Sequence, residues 1–227
     1  MKSTIDRFYL VNNESLSLKG DMKYLYNAGT MDVYLINEET KMNCATWYWK
    51  DAKAALYGID DDTKKQNEFL YAMEFYGITE IYYSIGANKL VNNRDMVEVF
   101  VKNAYARNMK VYLLTVEKMW LYEDSYQTAI YNMFNKVEEY NGLVSYDARL
   151  AGVSYDVEVW TNLEFNWKNN DVARYQQVKF IEIAQEYAES KNLSLIHCLP
   201  FWIVQYDYTD DEGVTRNVYD SITQIAN

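Results

Sequence analysis

A chain of 227 residues that is 49% hydrophobic and 24% charged has room for one large domain or two small ones, and it is too apolar for extended disorder. Its net charge of −11 argues against a nucleic-acid partner, which needs clustered Lys and Arg to neutralise phosphates, and suits neutral ligands better than anionic ones. No apolar run approaches the roughly 20 residues of a membrane span, so no span is expected.

Residues 1–40 read as an N-terminal β segment. DRFYLV, MKYLYN and MDVYLIN are short strand-like runs separated by Asn, Gly and Ser turns. They form either a small β element packed on the rest of the chain or the tail of a preceding domain. The opening MKSTIDRFYLVNNES has no uninterrupted apolar core of the kind a signal peptide carries. Location therefore stays open: cytoplasmic if Met1 is the true start, extracellular or cell-envelope if a leader has been removed.

From residue 41 to 227 the pattern changes. CATWYW (44–49), ITEIYYSIG (78–86), MKVYLLTV (109–116), AGVSYDVEVW (151–160) and LSLIHCLPFWI (193–203) begin roughly 30 to 42 residues apart, the size of a strand plus a crossover helix. Amphipathic stretches lie between them. Residues 63–77 put Phe69, Leu70, Met73 and Tyr76 on one face, with Gly77 as a stop. Residues 94–108 repeat Met96, Val97, Phe100, Val101 and Ala104 at helical spacing, and a third helix is expected over 125–140. Residues 170–192 start with a capping Asn170 or Asp171 and turn Val178, Ile181 and Ala188 inward.

Five βα-type units with near-continuous apolar strands predict an α/β protein whose parallel sheet is covered by helices: a TIM-type (β/α) barrel or an open doubly wound sheet. No Gly-rich phosphate loop follows any strand, which removes the main support for a dinucleotide site and favours the barrel; no cofactor is expected. A closed eight-stranded barrel usually needs about 250 residues. Five strands are used by residue 203, so the barrel is expected to be incomplete in this chain. Further residues, or another chain docking on the open edges, would complete it.

The run AGVSYDVEVW raises a chemical question, because a buried strand does not normally end in unpaired acids. Strand alternation sends Val153, Tyr155, Val157 and Val159 towards the helices and Ser154, Asp156 and Glu158 towards the barrel interior, with the acids last, at the C-terminal mouth. Two such carboxylates repel, which raises the pKa of at least one unless a base is near. A carboxylic acid kept protonated near neutral pH is what glycosidic bond cleavage needs. The bland alternative is an acid pair satisfied by Arg, Lys or backbone donors.

On these residues the chain resembles the fourth strand of family-18 chitinase-type glycoside hydrolases and their uncharacterised barrel relatives, with Gly152, Asp156 and Glu158 matching. The resemblance implies that Glu158 is the general acid and that Asp156 orients Glu158 or a substrate N-acetyl group. Two further acids of the full chitinase motif are replaced by Ala151 and Ser154. LPFWI (199–203) resembles the fifth strand of the same relatives, where a Pro-aromatic-Trp run borders the sugar cleft.

The rest of the chain fits a carbohydrate ligand, a neutral or N-acetylated polysaccharide. Trp47, Trp49, Tyr82, Trp160 and Trp202 lie on or just past strands, where flat rings stack on pyranose faces. For any one of them core packing is the ordinary role. His197, the only histidine, reads as a hydrogen-bonded core residue; a metal site shared with Glu117 and Glu158 lacks supporting ligand spacing. Cys44 and Cys198 fit two buried free thiols. The competing reading is a carbohydrate-binding barrel without catalysis.

Overall fold

The computed structural model describes residues 24–26, 33–35, 44–49, 63–85, 87–116 and 121–226, in two units that divide after Asn43. In the first unit, β1 (Tyr24–Tyr26) pairs antiparallel with β2 (Val33–Leu35). These strands fall within the predicted MKYLYN and MDVYLIN runs. DRFYLV lies outside the described residues.

The second unit is α/β, as expected. β3 (Cys44–Trp49), β4 (Ile78–Ser84), β5 (Lys110–Val116), β6 (Gly152–Asp156) and β7 (Ser194–His197) form one parallel sheet whose strand order follows the sequence. Between them run α1 (Thr63–Phe75), α2 (Ala87–Asn92), α3 (Arg94–Tyr105), α4 (Glu123–Tyr126), α5 (Asn132–Leu143) and α6 (Asp171–Ser190). Among the described residues, no strand pairs with the outer edge of β3 or of β7.

The two faces of the sheet have different cores. On one, Tyr48, Ile81, Tyr83, Leu113, Val153 and Tyr155 pack with helix residues such as Leu70, Phe100, Phe134 and Phe180. On the other, Tyr82, Tyr112 and Leu114 pack with Ala45, Ala151 and Ile196, all from strands or their ends. Sequential strand order with crossovers of constant hand places successive helices on the same side, which accounts for the division.

Local chemistry fixes the strand that carries the acids. The Asn141 amide donates to the Leu150 carbonyl and accepts from the Leu150 N–H, both at 2.9 Å, so a helix side chain aligns the entry to β6. Inside the strand, Gly152 is required by space. A Cβ there would sit 2.6 Å and 2.8 Å from the backbone carbon and nitrogen of Ser194, and closer still to its carbonyl oxygen. Tyr155 then anchors the strand beneath the helices, its buried hydroxyl donating to the Ala129 carbonyl at 2.6 Å.

Several boundaries differ from expectation. Gly77 does end the first helix, with φ of 72°, but Tyr76 is exposed rather than inward. The third crossover is split into α4, a π-helical segment Gln127–Tyr131 and α5. Asn170 caps α6 by accepting from the Ala173 N–H, and Val178, Ile181 and Ala188 are buried as predicted. The last apolar run leaves the sheet at His197. Phe201–Gln205 is a 3-10 turn, followed by the hairpin β8 (Asp207–Thr209) and β9 (Thr215–Asn217) and by α7 (Val218–Ile225).

Candidate functional site

Alternation along β6 holds where the site needs it. Val153 and Tyr155 lie under the helices, while Ser154, fully buried, lies on the opposite face with Asp156. The strand ends at Asp156, however, so Glu158 is a loop residue. With φ −88° and ψ 60° it opens the 3-10 turn Val159–Thr161, and its carbonyl accepts from the Thr161 N–H (3.0 Å) and hydroxyl (2.8 Å). Val157 and Val159 still reach the helix-side core. The two acids remain neighbours: burial first, then the Glu158 charge, pushes the Asp156 carboxyl above the usual carboxylate range.

Cys198 completes this group. Its N–H donates to the Tyr155 carbonyl at 2.9 Å, extending the β6–β7 ladder by one residue and setting Cys198 beside Asp156. Burial and, secondarily, the Asp156 charge push its thiol up to about 11, with Glu158 adding a smaller push. The Trp47 indole and the Ser154 hydroxyl bear on the same sulfur and act in the opposite direction. Trp47 comes from β3, at the far edge of the sheet. The sheet is therefore curled enough for side chains from its two edges to meet over the inner face. Trp47 keeps 48% of its surface exposed.

No cation balances the acids. The ion pairs among the described residues involve neither Asp156 nor Glu158, and no metal-binding cluster occurs among those residues. The Ser154 Oγ meets the Cys198 thiol only as a weak, poorly aligned contact and has no other partner among the described residues. A buried hydroxyl left in this state costs about 1–3 kcal/mol.

The predicted aromatic platforms divide. Tyr82 is 9% exposed, edge-on to Trp47 (6.0 Å) and to Tyr112 (5.7 Å), and its hydroxyl donates to Glu80 at 3.2 Å, towards the N-terminal end of the strands. It is an interior residue turned away from the acids. Trp160 and Trp202 pack edge-to-face on each other at 5.7 Å. Trp202 also meets Trp167 (5.6 Å) and Tyr206 (5.7 Å), and the Lys168 ammonium lies 4.7 Å from its ring centre. Its faces are largely taken. The ring offered to solvent is its neighbour Phe201, 88% exposed.

Arg174 holds this rim together. Its guanidinium donates to the carbonyls of Asp207 (2.5 Å), Trp167 (2.9 Å) and Lys168 (3.0 Å), and it lies over the Trp167 and Tyr206 rings.

His197 is on the other face. Its ring stacks on Tyr155 (5.2 Å) and meets Phe180 edge-on (6.0 Å), so it is a core residue apart from Glu158. The expected hydrogen bond is missing at one nitrogen: Nε2 is buried without a partner among the described residues. Burial lowers its pKa to about 3. Glu117 and the Trp49 side chain lie outside the described residues. Cys44 and Cys198 are both free thiols. Sequence reasoning missed Cys198, Ser154 and Phe201 as members of the site. Parity with Asp156 on β6 points to Ser154, and the β6–β7 register then points to Cys198.

Compared with known proteins, the chain matches no protein-family model and shows no significant similarity to a curated protein.

Proposed function

We propose that this chain is a glycoside-hydrolase-like protein of the (β/α)-barrel type, which takes a polysaccharide without acidic groups at the C-terminal ends of its strands. The observation that carries the reading is the Asp156–Glu158 pair on the inner face, adjacent in space and without a cation partner among the described residues. Structural carboxylates are usually paired with Arg, Lys or backbone donors, whereas a coupled pair keeping one proton is the acid–base equipment of glycoside hydrolysis.

Glu158, on the loop at the strand end, is placed to meet the scissile bond and give its proton to the leaving glycosidic oxygen as the C–O bond breaks. Water supplies the hydroxyl to the sugar carbon, and its proton returns the acid to its starting state. Asp156, half-buried below it, orients Glu158 and shares its charge. Trp47 and Phe201 present the exposed rings of this end of the sheet and serve as stacking surfaces. A partner completing the open edges of the sheet belongs to the same reading.

The second reading, binding without turnover, draws on Ala151 and Ser154, which stand where the resembling chitinase motif has acids. Hydrolysis assays on chitin oligomers, peptidoglycan and β-glucans separate the two. Under the catalytic reading, Glu158→Gln lowers turnover by about 100-fold or more while binding persists, in line with loss of a general acid. Turnover unchanged by that substitution removes Glu158 from the chemistry. Binding with no turnover in the unsubstituted protein selects the second reading.

A further inference from the structure

We propose that the sugar unit held at the acid pair carries a free primary ammonium, so that the ligand is a cationic, deacetylated amino-sugar polymer; this rests on the polysaccharide reading above. The residues that meet there are Asp156, Glu158, Cys198, Ser154 and Trp47. Every one of them can receive a cation. The two carboxylates have no positive partner among the described residues, and the chain as a whole carries a net charge of −11. Trp47 leaves 48% of its surface open beside them, and an indole face attracts a cation.

Ser154 is the independent observation. Its Oγ is fully buried on the same face, one pleat below Asp156, with only its weak contact to the thiol. A group with donors to spare would satisfy it. An ammonium has three, enough for Asp156, Glu158 and the Ser154 oxygen at once. An acetamido group offers one N–H and sets a carbonyl oxygen against acceptors, and a plain hydroxyl carries no charge to answer the carboxylates. Hydrogen bonds between charged partners are roughly twice as strong as neutral ones.

Cation binding also moves a proton. Asp156 faces Glu158 from its own segment and the Cys198 thiol from the end of β7; Trp47 on β3 is uncharged, and the Tyr82 hydroxyl on β4 turns to Glu80. All the titratable neighbours are acidic, so they favour the protonated carboxyl, and an arriving ammonium favours the ionised one. Binding therefore releases a proton from Asp156.

The test is titration calorimetry on the whole chain at pH 6, in two buffers of different ionisation heat, with a glucosamine tetramer, an N-acetylglucosamine tetramer, cellotetraose and tetralysine. The expected result is a glucosamine tetramer bound about tenfold or more tighter than the other three, weakening with salt, with net proton release. Asp156→Asn abolishes the release and the preference, and Glu158→Gln reduces the preference if the first variant fails to fold. N-acetylated or neutral tetramers bound as well as the amine overturn this inference and leave the polysaccharide reading standing. Tetralysine bound as tightly as the amino sugar, or a preference untouched by both variants, also overturns it. Binding of none of the sugars overturns both.

Discussion

Replacing His197 by Phe should remove a large part of the acid sensitivity of folding. The imidazole is sandwiched against Tyr155 and Phe180 with Nε2 unpartnered, and burial lowers its pKa from 6.5 to about 3. Between those two values the unfolded chain binds a proton that the native chain refuses. Stability therefore falls by about 1.4 kcal/mol for each pH unit below 6.5 and stops falling near pH 3. At pH 5 the loss is about 2 kcal/mol relative to pH 8, a sizeable fraction of the roughly 5–15 kcal/mol that holds a typical domain folded. Carboxylates titrate in the same range, so the wild type alone cannot isolate the term. The difference between wild type and variant can. Urea unfolding followed by tryptophan fluorescence at pH 8, 6 and 5 should show the variant gaining about 2 kcal/mol on the wild type across that span. His197→Gln, which also lacks the titration, should show the same change even if the Phe ring packs poorly. Parallel pH profiles for all three proteins would refute the argument.

Gly152→Ala should destabilise by about 3 kcal/mol or more in urea unfolding, because its methyl group would overlap the Ser194 backbone and must push β6 from β7; a loss under about 0.5 kcal/mol would mean the strands separate freely. Asp156→Asn should stabilise the protein at pH 7–8. The native carboxyl titrates above its unfolded value, so the stability it contributes is present at low pH and lost as pH rises through the folded pKa. The gain should vanish in acid, and a variant weaker at pH 8 than the wild type would contradict it. In a Cys44→Ser background, Cys198 should alkylate slowly at pH 7.5, and faster once Asp156→Asn removes one charge that holds the thiol protonated; an unchanged rate would separate the two groups in space.

The parallel sheet was legible because each strand is an apolar run flanked by a helix-period stretch, and such runs have few other ways to be buried. The end of β6 was less so. AGVSYDVEVW keeps its apolar alternation through Val159, yet the ladder stops at Asp156, since burial of Val157 and Val159 is compatible with a 3-10 turn as well as with a strand. Pattern records which side chains are inside and not how the backbone is bonded. The same limit hid the departure of the last run from the sheet at His197. Within the site, the acids could be paired from parity along one strand. Cys198 and Trp47 could not, because their meeting depends on how far the sheet curls, a property of five strands together. Trp160 and Trp202 were placed at the right end of the sheet, but their mutual edge-on packing could not be read from separate segments.

Arg174 ties the loop after β6 to the hairpin after β7, through three carbonyls and two ring contacts. Loops joined this way move as one body, so little of their freedom is left to lose when a ligand arrives. Most of the ordering cost of that rim has already been met in folding, and binding there should be accompanied by only a small conformational entropy loss. The same tie couples their histories: a substitution that reshapes one loop strains the other, and variation in ligand preference should enter through paired changes around residues 160–168 and 201–207.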